Sequence, residues 1–164
     1  MVAGSSSPLV NSLGQPIAAD AAAEQAFRTW FGKSLVVDPA GRPLVLYHGT
    51  NRQFDAFSVS EKKGIYFSTS ENEAHRYADI VSRYGGKPRV IPVYLKIERN
   101  GWESYVQMTS RSAYQGIASA HTSIAQQWDG IHHPNDMTVV YHPCQIKAVA
   151  NRGTFDPLDV NIGR

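Results

Sequence analysis

Cysteine is nearly absent: Cys144 stands alone in 164 residues, so no disulfide can form within the chain. No run of about 18 apolar residues occurs, which excludes a membrane-spanning helix. The opening MVAGSSSPLV lacks the charged and apolar regions of a signal peptide. A structural zinc site needs about four ligands, and one cysteine with six scattered histidines does not supply them, so no metal is expected. His132 and His133 are adjacent, and their side chains diverge on a strand or a helix. Charge of one sign is also scarce. The net charge of +2 is too small to argue for a nucleic acid or a membrane as partner. There is no G-x-G-x-x-G, phosphate loop, G-x-S-x-G or metalloprotease helix. No internal repeat is found.

What remains is globular: 42% hydrophobic and 18% charged residues, in a length that suits one domain with its own core. Residues 1–19, rich in Ser, Gly, Pro and Ala, read as a linker or frayed start, and residues 20–164 as a single domain. Such a tail suggests a domain taken from a longer polypeptide. Asp20 caps a helix to about Lys33, with Ala23, Ala26, Phe27, Trp30 and Phe31 on its core side. Asp38 to Gly41 is a turn, and Leu44 to His48 is a strand. Gly64 to Ser68 is a second strand. A helix runs from Ser70 or Asn72 to Tyr84, stopped by Gly85-Gly86. Val90 to Ile97 is a strand that Pro92 should confine to an edge or a bulge. Residues 111–127 form a helix, and Arg111, Tyr114 and Gln115 at its start face solvent or an acceptor. Trp128 to Ile131 returns to strand. Thr138 to Tyr141 and Gln145 to Val149 are strands, and residues 151–157 are turns. Without regular strand–helix alternation, the class is α+β.

Three segments bear chemistry. His48 ends an apolar strand, and Gly49 after it leaves the backbone open to a ligand; the other reading is a core histidine. Tyr66, on a strand, and Tyr77, eleven positions later on a helix, can face each other across a flat ring, or simply pack. Asn135 to Ile146 is a strand with Asp136 at its mouth, a candidate acid or a solvated turn residue. Cys144 reads as inert packing.

In order, Tyr47 to Thr50, Gly64 to Ser68 and Ala74 to Tyr77 resemble the ADP-ribosyltransferase superfamily, in its branch of diphtheria toxin and the poly(ADP-ribose) polymerases. Phe27 to Ser34, the Asp38 to Gly41 turn, Asp129-Gly130-Ile131, Gln145 to Lys147 and Asn151 to Pro157 are most similar to such domains in large phage, plasmid and toxin polypeptides. The likeness covers residues 26–162. It implies split mixed β-sheets packed with a few helices, and NAD⁺ as substrate. Its implied activity is mono-ADP-ribosyl transfer to a macromolecular acceptor, protein or nucleic acid, with release of nicotinamide. A toxin or effector role, a cognate immunity protein and a monomeric domain go with it. So does action in the cytoplasm, or in a target cell's cytosol reached within a larger secreted polypeptide.

The resemblance assigns His48 to a hydroxyl of NAD⁺ and the Gly49 backbone to the carboxamide. Tyr66 and Tyr77 would sandwich the nicotinamide, with Thr50, Phe67 and Ser68 beside them. It also expects a glutamate at the start of the next-to-last strand, and Met137 stands there. Asp136 is one residue off, on the opposite face unless a bulge turns it. Asp129 and Gln145 are the other candidates. A shifted acid, a degenerate copy and a disarming substitution are equal explanations. The alternatives to transfer are an NAD⁺-binding module without turnover and an NAD⁺ glycohydrolase.

Overall fold

Helix α1 (Ala21–Phe31) opens where Asp20 accepts a hydrogen bond from the Ala23 amide at 2.8 Å, and it ends at Gly32, whose positive φ suits only glycine. In the computed structural model, which describes residues 7–59, 63–110 and 116–164, Phe27 and Trp30 of this helix are almost wholly buried. The Asp38 carboxylate accepts from the amides of Ala40 and Arg42, each at 2.9 Å, and so builds the expected turn.

After it come β1 (Leu46–Thr50), β2 (Ile65–Phe67), α2 (Glu71–Ser82), β3 (Arg89–Leu95), α3 (Trp102–Thr109), α4 (Gly116–Gln127), β4 (Gly130–His132), β5 (Thr138–Val140) and β6 (Ile146–Ala148). The strands form two three-stranded sheets, ordered β1-β3-β6 and β2-β5-β4. The class is therefore α+β with split sheets. Every pairing between these strands is antiparallel, and a parallel pairing enters as an isolated bridge, Asn100 to Gly130.

Strand alternation sorts the side chains into layers. Leu46, Val93, Leu95 and Ile146 of the first sheet meet Ile65, Phe67 and Val140 of the second in a core between the sheets. The outer face of the first sheet, with Val45 and Tyr94, packs on Phe27, Trp30 and Phe31 of α1 and on Phe155. The outer face of the second, with Ile131 and Val139, packs on Ile124 of α4 and on Trp102 and Tyr105 of α3.

Three expectations change. Residues 7–19 are not a linker. Ile17 is fully buried against α1, and Asn11 donates to the Tyr94 hydroxyl at 3.0 Å while its side-chain oxygen holds the amides of Leu13 and Gln15. Pro92 lies in the central strand, not at an edge. Val149 donates to its carbonyl at 2.9 Å, and the return bond that proline cannot make falls just where β6 ends. Helix α3 is an addition, placed by Asn100, which accepts from the Trp102 amide and pairs with the backbone of His132 through both side-chain polar atoms. The helix read over 111–127 is described from Gly116 on, and the Arg111, Tyr114 and Gln115 reading lies outside the described residues.

Packing rather than composition decides the start of the fold, so Ile17→Ala should cost about 2–4 kcal/mol in urea unfolding. A change near zero would return residues 7–19 to a linker.

Candidate active site

The edges of the two sheets meet at β1 and β2, where Tyr47 and Ser68 exchange backbone hydrogen bonds of 2.9 and 3.0 Å. Helix α2 starts just beyond, with the Ser70 hydroxyl accepting from the Glu73 amide at 3.3 Å. It then runs across β1. Its small buried residues Ala74 and Ala78 lie directly on Gly49, where a methyl group would overlap the Ala74 carbonyl. The need for glycine at 49 thus comes from helix packing, whereas the sequence pointed to ligand approach. Gly49 also lines the cleft beside that contact.

That cleft has a volume of about 820 Å³ and is lined by His48, Gly49, Tyr66, Ser68 and Tyr77 together with Tyr47, Arg52, Phe54, Phe57, Lys63 and Glu73. His48, Tyr66 and Tyr77, far apart in sequence, come together there. Tyr66 and Tyr77 are 44% and 56% exposed, so neither ring is buried in the core. Phe67 does not line the cleft. It is buried between the sheets, where it packs on the His48 ring at 5.4 Å. Thr50 is buried, and its hydroxyl accepts from the Arg52 amide at 3.2 Å.

The His48 tautomer follows from its partner. Nδ1 lies 2.9 Å from the Tyr66 carbonyl, which can only accept, so Nδ1 carries the proton. Burial lowers the His48 pKa and keeps the ring neutral, although the carbonyl contact works the other way. Nε2 is then an acceptor, the form suited to a hydroxyl donor. Phe57 and Phe54 hold the ring edge-on at 4.9 and 6.5 Å.

Tyr66 is anchored at its other end. Its hydroxyl lies 2.5 Å from Nε2 of His121, and Nδ1 of His121 lies 2.6 Å from the Tyr141 hydroxyl. Burial lowers the His121 pKa and pushes the Tyr66 phenol up to about 12, with Tyr105 nearby adding to the rise. A neutral imidazole thus donates to one phenol and accepts from the other. The sequence carried no signal for His121, a lone histidine on α4 with no motif around it.

The expected acids are elsewhere. Tyr66 pairs with Val139, and Met137, two residues earlier, shares that face of the sheet; it packs against Ile124, Ile131 and Val139. Asp136 is exposed and lies near Tyr105, whose phenol its charge helps raise after burial. Asp129 is occupied by the amides of Glu98 and Arg99 and by the Arg99 guanidinium. Gln145 accepts from the amides of Tyr141 and His142 and donates to the carbonyls of Lys96 and Asp129, so it braces loops. None of the four lines the cleft. Glu73, which the sequence reading passed over, does; its only signal was the Ser70-x-x-Glu73 spacing of a helix start. Among the described residues no cluster of three or more His, Cys, Asp or Glu is placed to hold a metal.

The model of a family described as ADP-ribosyltransferase in polyvalent proteins matches residues 38–155. No curated protein and no solved structure gives a significant match.

Two outcomes follow from this geometry. Gly49→Ala forces α2 off β1 and should destabilise the domain by about 1–3 kcal/mol; an unchanged urea midpoint would refute the close contact. The second concerns pH. Burial holds His48, His121 and His132 below their ordinary 6.5, so as pH falls the unfolded chain binds protons first. Stability should be full above about pH 6.5 and decline as the pH drops through it toward the lowered folded values. Unfolding at about pH 7.5 and about pH 5 checks this, and equal stability at both would contradict it.

Proposed function

The chain belongs to the family of ADP-ribosyltransferases in polyvalent proteins, and from that premise we propose that its cleft binds NAD⁺ and transfers a single ADP-ribose to a macromolecular acceptor. The observation that carries the reading is the meeting of His48, Tyr66 and Tyr77 around one cleft, with the His48 tautomer fixed by the Tyr66 carbonyl. In this reading the nicotinamide lies between the two tyrosine rings and its carboxamide pairs with the Gly49 backbone. Nε2 of His48 accepts from a ribose hydroxyl. Arg52 and Lys63, both lining the cleft, attract the pyrophosphate.

The chemistry is a displacement at the nicotinamide ribose. The bond from its anomeric carbon to nitrogen breaks, and nicotinamide leaves with the electron pair. An acceptor nucleophile forms the new bond and gives up its proton. Holding the leaving ring and the ribose in fixed geometry lowers the entropic part of the barrier. His121 steadies this arrangement by fixing the Tyr66 hydroxyl. A second reading, an NAD⁺-binding module without turnover, draws on Met137, an apolar residue where the resemblance expects a carboxylate.

Incubation with NAD⁺ labelled on the adenylate side separates the two. Transfer predicts label on protein or nucleic acid and free nicotinamide, each reduced about 100-fold in His48→Ala and in Tyr66→Ala. Nicotinamide without labelled macromolecule points to hydrolysis, with water as acceptor. Binding without nicotinamide release points to the module.

A further inference from the structure

Opening the glycosidic bond leaves positive charge on the ribose, spread over the anomeric carbon and the ring oxygen, and a fixed carboxylate beside that charge lowers the barrier. The charged side chains that line the cleft among the described residues are Arg52, Lys63 and Glu73. Without Glu73 the cleft would present cations alone, which suits a pyrophosphate and opposes a developing ribose cation.

We propose that Glu73 is the catalytic carboxylate of this site, displaced from the strand to the first turn of α2, with the place on the strand taken by Met137. The proposal rests on the NAD⁺ reading of the same cleft.

Two features of local structure support it. Glu73 and Tyr77 are four residues apart on α2 and share one face of the helix, so an acid on this turn stands beside one ring of the nicotinamide clamp. The second feature is the helix start. In an ordinary capping box the glutamate three residues after the cap reaches back to the amide of the cap residue. Here the Ser68 hydroxyl accepts that amide, from Ser70, at 3.0 Å and then donates to Glu73 Oε2 at 3.0 Å. The cap is complete without the glutamate. Ser68 orients one carboxylate oxygen, and Oε1 takes no hydrogen bond from the described residues. Asp136, the nearest acid to the expected position, lies outside the cleft, and Asp129 is committed to the amides of Glu98 and Arg99.

The test is Glu73→Gln, which keeps the length of the side chain and an acceptor for Ser68 while removing the charge. NAD⁺ affinity is read by calorimetry, nicotinamide release by chromatography, and the fold by thermal unfolding. The expected result is a melting temperature and an affinity close to wild type, with nicotinamide release at saturating NAD⁺ reduced about 100-fold or more. Glu73→Asp should retain more activity than Glu73→Gln, and Met137→Leu should leave the rate unchanged. Release by Glu73→Gln at the wild-type rate overturns the assignment and leaves the NAD⁺ reading standing. So does a weaker affinity with unchanged turnover at saturation, which makes Glu73 a binding group only. Wild-type protein that binds NAD⁺ without releasing nicotinamide also removes the catalytic role. Failure of the wild type to bind NAD⁺ at all removes both readings.

Discussion

The site depends on the contact of helix α2 with β1 at Gly49. A side chain at 49 would collide with the Ala74 carbonyl, so the backbone of the helix can lie on the strand only because both surfaces are small. That approach puts Tyr77 and Glu73, on the helix, within one cleft with His48, on the strand. Any larger residue at 49, 74 or 78 would widen the cleft by lifting the wall that carries Glu73 and Tyr77. The core between the sheets supports the opposite wall, with Phe57 and Phe67 packed against the His48 ring.

Hydrogen bonds fix the orientation of His48 and of Tyr66. The Tyr66 residue is used twice: its carbonyl fixes the proton on His48, and its hydroxyl is tied through His121 to Tyr141. Burial keeps both imidazoles neutral, and a neutral ring can donate from one nitrogen and accept at the other. The same economy appears at the far end of the chain. The buried Lys147 ammonium donates to the carbonyls of Asp159, Asn161 and Arg164, which ties the last residues to β6.

Much of this was legible in the sequence wherever the signal was local. The Asp20 and Ser70 caps, the Asp38 turn and the strands around His48 and Tyr66 follow from short-range rules, and the structure has them within a few residues. The first strand is read from Leu44, but pairing with β3 begins at Leu46; the Leu44 amide donates to the Val36 carbonyl across the preceding turn. The α+β class was legible because strands and helices do not alternate regularly, and the family because three motifs stand in order. What escaped is long-range. The segment at residues 7–19 looks like a linker by composition, yet two residues, Asn11 and Ile17, fasten it to Tyr94 and α1. His121 is joined to Tyr66 across 55 positions, a pairing no spacing rule announces. Glu73 has no motif of its own beyond its spacing from the Ser70 cap, and only the fold brings it into the cleft. Met137 and Asp136 drew attention because a strand alignment was the one available guide to the acid.

One cleft, between α2 and the joined edges of β1 and β2, is proposed to receive NAD⁺. A crystal structure with a non-hydrolysable NAD⁺ analogue tests it most directly. The expected density has the nicotinamide between Tyr66 and Tyr77, the Nε2 of His48 on a ribose hydroxyl, and the pyrophosphate toward Arg52 and Lys63. Density for the analogue in the neighbouring cleft beside Trp128 and His142, with the first cleft empty, would contradict it.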